Sequence, residues 1–295
     1  MYTMLLLTEN EFGQVHQSQL SQEMCTLVIV HSKCKAQVSL YGGQVLSWQP
    51  CGEKEVFWLS KNAIYEQGKA IRGGIPLCWP WFGKHPNDID NNAGNHGFAR
   101  EQMWQVDDIT ISEQGVEICL SWCGANMADL WPFACQLKQR LFFGQSFKQT
   151  LTMQNLSDSD SYYTGALHSY FYVSSPENIK VEALAQASFD DKLTGQLCQP
   201  QALENGVGPI DRIYHTSDEM TLVDSQWQRK IELKTKNTEQ WVFWNPGFEL
   251  ANNMVDIHNN GEQEFVCLEA ANTQNQLLEA GQQAVMEQEI SIVRN

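Results

Sequence analysis

Alternation of apolar and polar positions with a period of two dominates the chain. Val116, Ile118, Leu120 and Trp122 alternate with Glu117, Cys119 and Ser121, and Phe147, Gln149, Leu151 and Met153 alternate with Lys148, Thr150 and Thr152. Successive side chains of a strand point to opposite faces, so this pattern predicts half-buried strands. Shorter β-rich apolar runs at Thr26–Val30, Glu55–Leu59, Gln240–Trp244, Glu264–Leu268 and Ile290–Val293 predict further strands. Turn signals separate them. Gly42-Gly43 breaks one hairpin, Ser112–Gly115 joins Asp108–Ile111 to Val116–Trp122, and Asn245-Pro246-Gly247 closes a strand. Helical character is expected only as one or two turns near Asn126–Trp131, stopped by Pro132. Many short strands with regular turns predict an all-β sandwich or barrel. No repeat or linker interrupts the pattern, so residues 1–295 are expected to form a single domain.

Composition narrows the function classes. A hydrophobic share of 42% supports a sizeable core, and 295 residues is an ordinary length for a large β-sandwich. The net charge of −16 repels nucleic-acid backbones and anionic lipid, and no basic patch offsets it. Neither nucleic acid nor membrane is therefore an expected partner, and no apolar run approaches the roughly 20 residues of a spanning helix. The opening residues lack a basic leader region, and Glu9 and Glu11 follow at once. The nine cysteines form no CxxC pair and read as reduced, buried thiols, with a thiolate metal site as the alternative. A cytoplasmic monomer is the resulting expectation. The charge also sets a condition: an anionic substrate needs a local cluster of Arg or Lys against the global field.

Five segments hold the candidate chemistry. Arg72–Gly83 (RGGIPLCWPWFG) combines one Arg, three glycines and three aromatics, whose flat faces suit the C–H face of a sugar. Its plain reading is a packed corner in which Arg72 pairs with a core carboxylate. Asn95–Arg100 (NHGFAR) follows the polar loop Lys84–Asn95 and sets His96 near Arg100, a residue suited to bidentate phosphate contact. Its plain reading is a surface Arg and a hydrogen-bonded His. Ala166–Phe171 (ALHSYF) sets His168 mid-strand among apolar neighbours, either a satisfied core histidine or a general acid. Val266–Asn272 (VCLEAAN) sets Glu269 after an apolar strand, where a buried carboxylate needs a cation, donors or a catalytic role. Asp211–Tyr214 (DRIY) offers Asp211 to sugar hydroxyls, or to Arg212 in a turn pair. These residues suit a carbohydrate site without choosing a reaction.

Together with WNPG at Trp244–Gly247, these strings resemble, in the same order, the D-hexose-6-phosphate mutarotases (glucose-6-phosphate 1-epimerases) of the aldose 1-epimerase superfamily. The resemblance runs from about Lys35 to Val293. It implies a galactose mutarotase-like β-supersandwich of large antiparallel sheets, with His168 as general acid and Glu269 as general base. It implies that Arg72 and Arg100 hold a phosphate and that His96 and Asp211 line the sugar site; Asn95 falls where members of the family differ. The implied reaction interconverts the α and β anomers of a hexose 6-phosphate by ring opening. Proton transfers suffice, so no cofactor and no metal are expected. Mutual attraction is expected to keep His168 and Glu269 both charged. Two alternatives stand beside this reading. One is a non-catalytic sugar-phosphate-binding or regulatory protein on the same fold. The other is a metal enzyme on His96, His168 and Glu269, which no HxH or HExxH spacing supports.

Overall fold

Facing apolar sides of antiparallel sheets build the core, as the alternation requires. The structure, a computed structural model, describes residues 4–90 and 92–294. Three sheets occur among these residues. Five consecutive strands, Leu5–Asn10, Gly13–Gln19, Cys25–His31, Cys34–Ser39 and Gln44–Pro50, form a meander. An eight-stranded sheet runs in the spatial order Ile179–Lys180, Met220–Asp224, Arg229–Lys236, Gln283–Arg294, Ser146–Asn155, Cys135–Gly144, Gly115–Gly124, Gln105–Ile111. A second eight-stranded sheet runs Gln196–Cys198, Phe189–Asp191, Ile210–Tyr214, Gln240–Asn245, Phe265–Leu278, Ser161–Leu167, Leu77–Cys78, with Tyr170–Tyr172 paired separately to Phe265–Leu278. Every strand pair is antiparallel, and the chain is all-β in class.

The alternating strands bury the expected face. Val116, Ile118 and Leu120 are fully buried, as are Phe147 and Met153, while Lys148, Thr150 and Thr152 stay partly exposed. Gln149 shares the buried face, and burial obliges it to find partners. It donates to Gln139 Oε1 at 2.7 Å and accepts from Gln288 Nε2 at 2.8 Å. Gln139 in turn donates to the Gly43 carbonyl at 2.6 Å, and the Ser169 hydroxyl lies 3.3 Å from the Gln288 amide. A row of satisfied amides thus crosses the core and ends beside His168.

Two local expectations need correction. Glu55–Leu59 is not a strand; it joins its neighbours only through isolated bridges, Phe57 to Phe171 and Leu59 to Gly73. Val56, Phe57 and Trp58 are nonetheless buried, so the apolar signal was burial without a ladder. Asn126–Trp131 is a turn closed by a bridge between Ala128 and Trp131, not a helix. The α-helix of the described residues is Gly247–Asn252, one and a half turns long, starting inside the Trp244–Gly247 segment. The strand Gln240–Asn245 does end there, as the turn signal required.

Candidate active site

Two sequence segments are stitched together by their glycines. The carbonyl of Trp79 accepts hydrogen bonds from the Phe98 and Ala99 amides, and the Trp79 amide donates to the His96 carbonyl. Gly97 takes φ +68°, and a Cβ there would stand 2.1 Å from the Trp79 oxygen. This close approach needs glycine on both counts. It brings Asn95, His96 and Arg100 alongside Arg72–Gly83.

His168 does not sit mid-strand. The strand Ser161–Leu167 ends one residue before it, and pairing resumes at Tyr170. Leu167 pairs with Ala270 and Tyr170 with Cys267, so the register breaks at His168 and Ser169 beside Leu268 and Glu269, with the Leu268 amide still donating to the Ser169 carbonyl. The His168 amide is held instead by the Pro76 carbonyl at 3.1 Å. Its Nδ1 lies 3.3 Å from Glu269 Oε1. Its ring stacks on Tyr170, with centroids 4.8 Å apart and planes 7° from parallel. Trp244 meets it edge-on at 6.2 Å.

All seven expected site residues line one cavity of about 340 Å³: Arg72, Asn95, His96, Arg100, His168, Asp211 and Glu269. Phe82, Lys84, Lys192, Trp244 and Met254 share it. Sequence reasoning missed Lys84 and Lys192, which had no partner signal beyond their charge. It also missed Asp256 and Tyr170 as partners of Arg72. Arg72 Nε donates to Asp256 Oδ2 at 2.9 Å, and Nη1 donates to the Tyr170 hydroxyl at 2.9 Å. Arg72 therefore has the carboxylate partner of its plain reading and lines the cavity as well. Arg100 Nη2 donates to the Asn95 carbonyl at 2.7 Å, so Asn95 acts on Arg100 through its main chain. Arg212 pairs with Asp191 at 3.7 Å and lies over Phe189, which leaves Asp211 to the cavity.

Burial governs the electrostatics. It pushes Glu269 well above the usual carboxylate range, and the nearby Asp211 adds to the effect. It pushes His168 well below the usual imidazole value, helped by His96, Arg72 and Arg100. Burial thus works against the expected charge on both groups. Neutral His168 with protonated Glu269 nevertheless holds the same single proton as the ion pair, so one internal transfer interconverts them. His96 is lowered to about 3, by burial and then by Arg100 and Arg72. Its Nδ1 accepts from the Gly83 amide at 3.2 Å, so the neutral ring carries its proton on Nε2. Burial also raises Asp211, against the pull of Lys192. For Arg72 burial opposes the charge, but Tyr170 and Asp256 more than offset it and hold the guanidinium charged.

Three buried polar atoms of the site have no hydrogen-bond partner: His168 Nδ1, Glu269 Oε2 and Arg100 Nε. Unsatisfied buried groups are costly, and their concentration at one cavity marks a place built for a ligand. A histidine and a carboxyl 3.3 Å apart, beside two arginines at one cavity of an antiparallel β-fold, form a site of the kind an acid–base isomerase uses. The chain belongs to the aldose 1-epimerase family, whose model matches residues 26–291, and it is an epimerase. A "putative glucose-6-phosphate 1-epimerase" of Salmonella typhimurium is 32% identical, over 82% of this chain and 81% of that protein. A protein of the same name from Escherichia coli is 31% identical, over 84% and 83%. The crystal structure of a "putative mutarotase" from Salmonella typhimurium superposes with a TM-score of 0.87 at 29% identity, covering 99% of this chain and 97% of that one.

Proposed function

We propose that this protein interconverts the α and β anomers of a hexose 6-phosphate, as a glucose-6-phosphate 1-epimerase. The observation that carries the reading is the convergence of His168 and Glu269, 3.3 Å apart, and two arginines on one cavity, with unpartnered atoms on His168, Glu269 and Arg100. Glu269, as carboxylate, takes the proton of the C1 hydroxyl. His168, as imidazolium, gives a proton to the ring oxygen. The C1–O5 bond opens to the aldehyde, rotation about C1–C2 presents the other carbonyl face, and the steps reverse. Arg72 and Arg100 hold the phosphate. His96 offers its Nε2 proton and Asp211 its carboxyl to sugar hydroxyls, while Asn95 fixes Arg100. Proton transfers suffice for every step.

The phosphate does more than anchor. Arg72 and Arg100 are among the charges that hold His168 unprotonated. A phosphate dianion between them cancels that field, and the shared proton moves from Glu269 to His168. Substrate binding thereby sets the acid and the base in their working forms. The reading also has the enzyme act as a single-domain monomer in the cytoplasm, a compartment supported by its nine free cysteines. The test is anomer exchange of glucose 6-phosphate, followed by polarimetry or NMR exchange with wild type and His168→Ala. The expected result is catalysed exchange that the substitution abolishes. An uncatalysed rate with tight sugar-phosphate binding would identify a binding protein instead.

A further inference from the structure

A thiol lies next to the acid–base pair, and the epimerase chemistry does not use it. Cys267 precedes Glu269 by two residues on the strand Phe265–Leu278, so both side chains leave the same face of the sheet. Cys267 is fully buried and stands outside the cavity lining. A ring nitrogen of His168, the Cys267 sulfur and a carboxylate oxygen of Glu269 all lie within 4.8 Å of one another. Among the described residues no other group of His, Cys, Asp and Glu is gathered this way. His168 and Glu269 are more than nine-tenths buried, at 7% and 1% exposure, and each carries an unpartnered polar atom.

Zinc-type ions take sulfur, nitrogen and oxygen at about 2.0–2.3 Å in a tetrahedron, which sets ligand atoms roughly 3.3–3.8 Å apart. His168 Nδ1 and Glu269 Oε1 already stand 3.3 Å apart. The other separations need to close by no more than about 1–1.5 Å to reach that geometry. His168 and Glu269 line the cleft, which leaves the fourth position open to water. The donor set of thiolate, imidazole and carboxylate selects soft or borderline ions over magnesium, which demands oxygen ligands in an octahedron.

We propose that the cleft floor binds a zinc or cadmium ion between His168, Cys267 and Glu269, and that this ion inhibits the enzyme. The thiol proton and the proton shared by the pair leave to solvent, and the two negative ligands balance the ion's charge. Inhibition follows because the ion occupies both groups that the proposed anomerisation needs, and so it rests on that reading. The binding does not rest on it.

The experiment measures cadmium binding to the purified metal-free protein by calorimetry and by the ultraviolet thiolate-to-cadmium charge-transfer band. Exchange rates are recorded in parallel with cadmium, zinc and magnesium. Wild type is expected to bind cadmium at this site and lose activity to cadmium and zinc but not to magnesium. Cys267→Ala is expected to keep its metal-free rate, lose one thiolate's share of the band, and need at least about tenfold more metal for the same inhibition. Equal cadmium affinity and equal inhibition in wild type and Cys267→Ala would overturn the proposal. Should Cys267→Ala fail to fold, His168→Ala carries the binding arm: unchanged affinity there overturns the proposal and weakened affinity supports it. A protein that binds cadmium through Cys267 but shows no exchange activity would sink the proposed function while leaving the metal site standing.

Discussion

The rings of His168 and Tyr170 stack 4.8 Å apart and 7° from parallel, while the Tyr170 hydroxyl accepts a hydrogen bond from Arg72. One side chain thus sets the plane of the proposed acid and steadies one arm of the proposed phosphate grip. The two roles separate by substitution. Tyr170→Phe keeps the stack and loses one hydrogen bond, of about 1 kcal/mol, so KM for the phosphosugar should rise about fivefold with kcat retained. Tyr170→Leu loses the stack, and kcat should fall about 10- to 100-fold. Steady-state kinetics on both variants decide; equal kcat in the two would remove the stack from the mechanism.

Glu269→Gln should lower exchange by about 10²- to 10⁴-fold and also make the fold more stable at pH 8. A carboxyl whose folded pKa is raised weakens the fold as pH climbs above its unfolded value of about 4.3, because only the unfolded chain ionises freely. Glu269 is such a carboxyl. Glutamine has no proton to lose, so the variant's melting temperature should exceed wild type at pH 8, with the gap closing towards pH 4. A lower melting temperature at pH 8 would contradict this account.

Arg100→Ala should raise KM for glucose 6-phosphate by about 10- to 100-fold, since hydrogen bonds to charged groups are worth roughly 1.5–3 kcal/mol. Free glucose should be affected far less. Arg72→Ala should also depress kcat, because it releases Tyr170 and Asp256. Equal losses on glucose and its phosphate would remove both arginines from phosphate binding.

The pH profile should report the phosphate's effect on the pair. At high pH the pair loses its single proton and activity falls. Bound phosphate offsets the positive field that lowers His168, so that proton is held more tightly in the complex. The basic limb of kcat should therefore lie at higher pH than the basic limb of kcat/KM. Coincident limbs would mean the phosphate does not reach the pair electrostatically.

Gly97→Ala should destabilise the fold by about 2–4 kcal/mol, combining the left-handed backbone with a clash against main chain. The new Cβ would stand 2.1 Å from the Trp79 carbonyl, which has no flexible end to move aside. Urea unfolding measures the loss.

Much of this architecture is legible in the sequence where a single physical rule applies. Val116–Trp122 and Phe147–Met153 are readable because one face of each strand is buried, and that writes a period of two. Glu55–Leu59 misleads because burial without strand pairing leaves the same apolar trace. The helix Gly247–Asn252 is too short to write a helical period at all. At the site, residue types with unusual chemistry stand out, and the seven chosen residues share one cavity. Their partners do not stand out: Asp256 meets Arg72 across 184 residues, and nothing local marks it. The opposing effect of burial on the charges of His168 and Glu269 is hidden for a related reason. Attraction between two named residues is easy to foresee, whereas desolvation depends on everything packed around them.

The two residues withdrawn from the ladder at His168 and Ser169 have a wider consequence. Glu269 belongs to a strand clamped on one side by Gln240–Asn245 and on the other by two separate short strands. Glu269 therefore inherits the stiffness of a sheet, while Asn95, His96 and Arg100 come from the segment that connects Leu77–Cys78 to Gln105–Ile111. On the proposed reading, an engineer seeking a new sugar can edit residues of that connecting segment and leave the strand that carries Glu269 untouched.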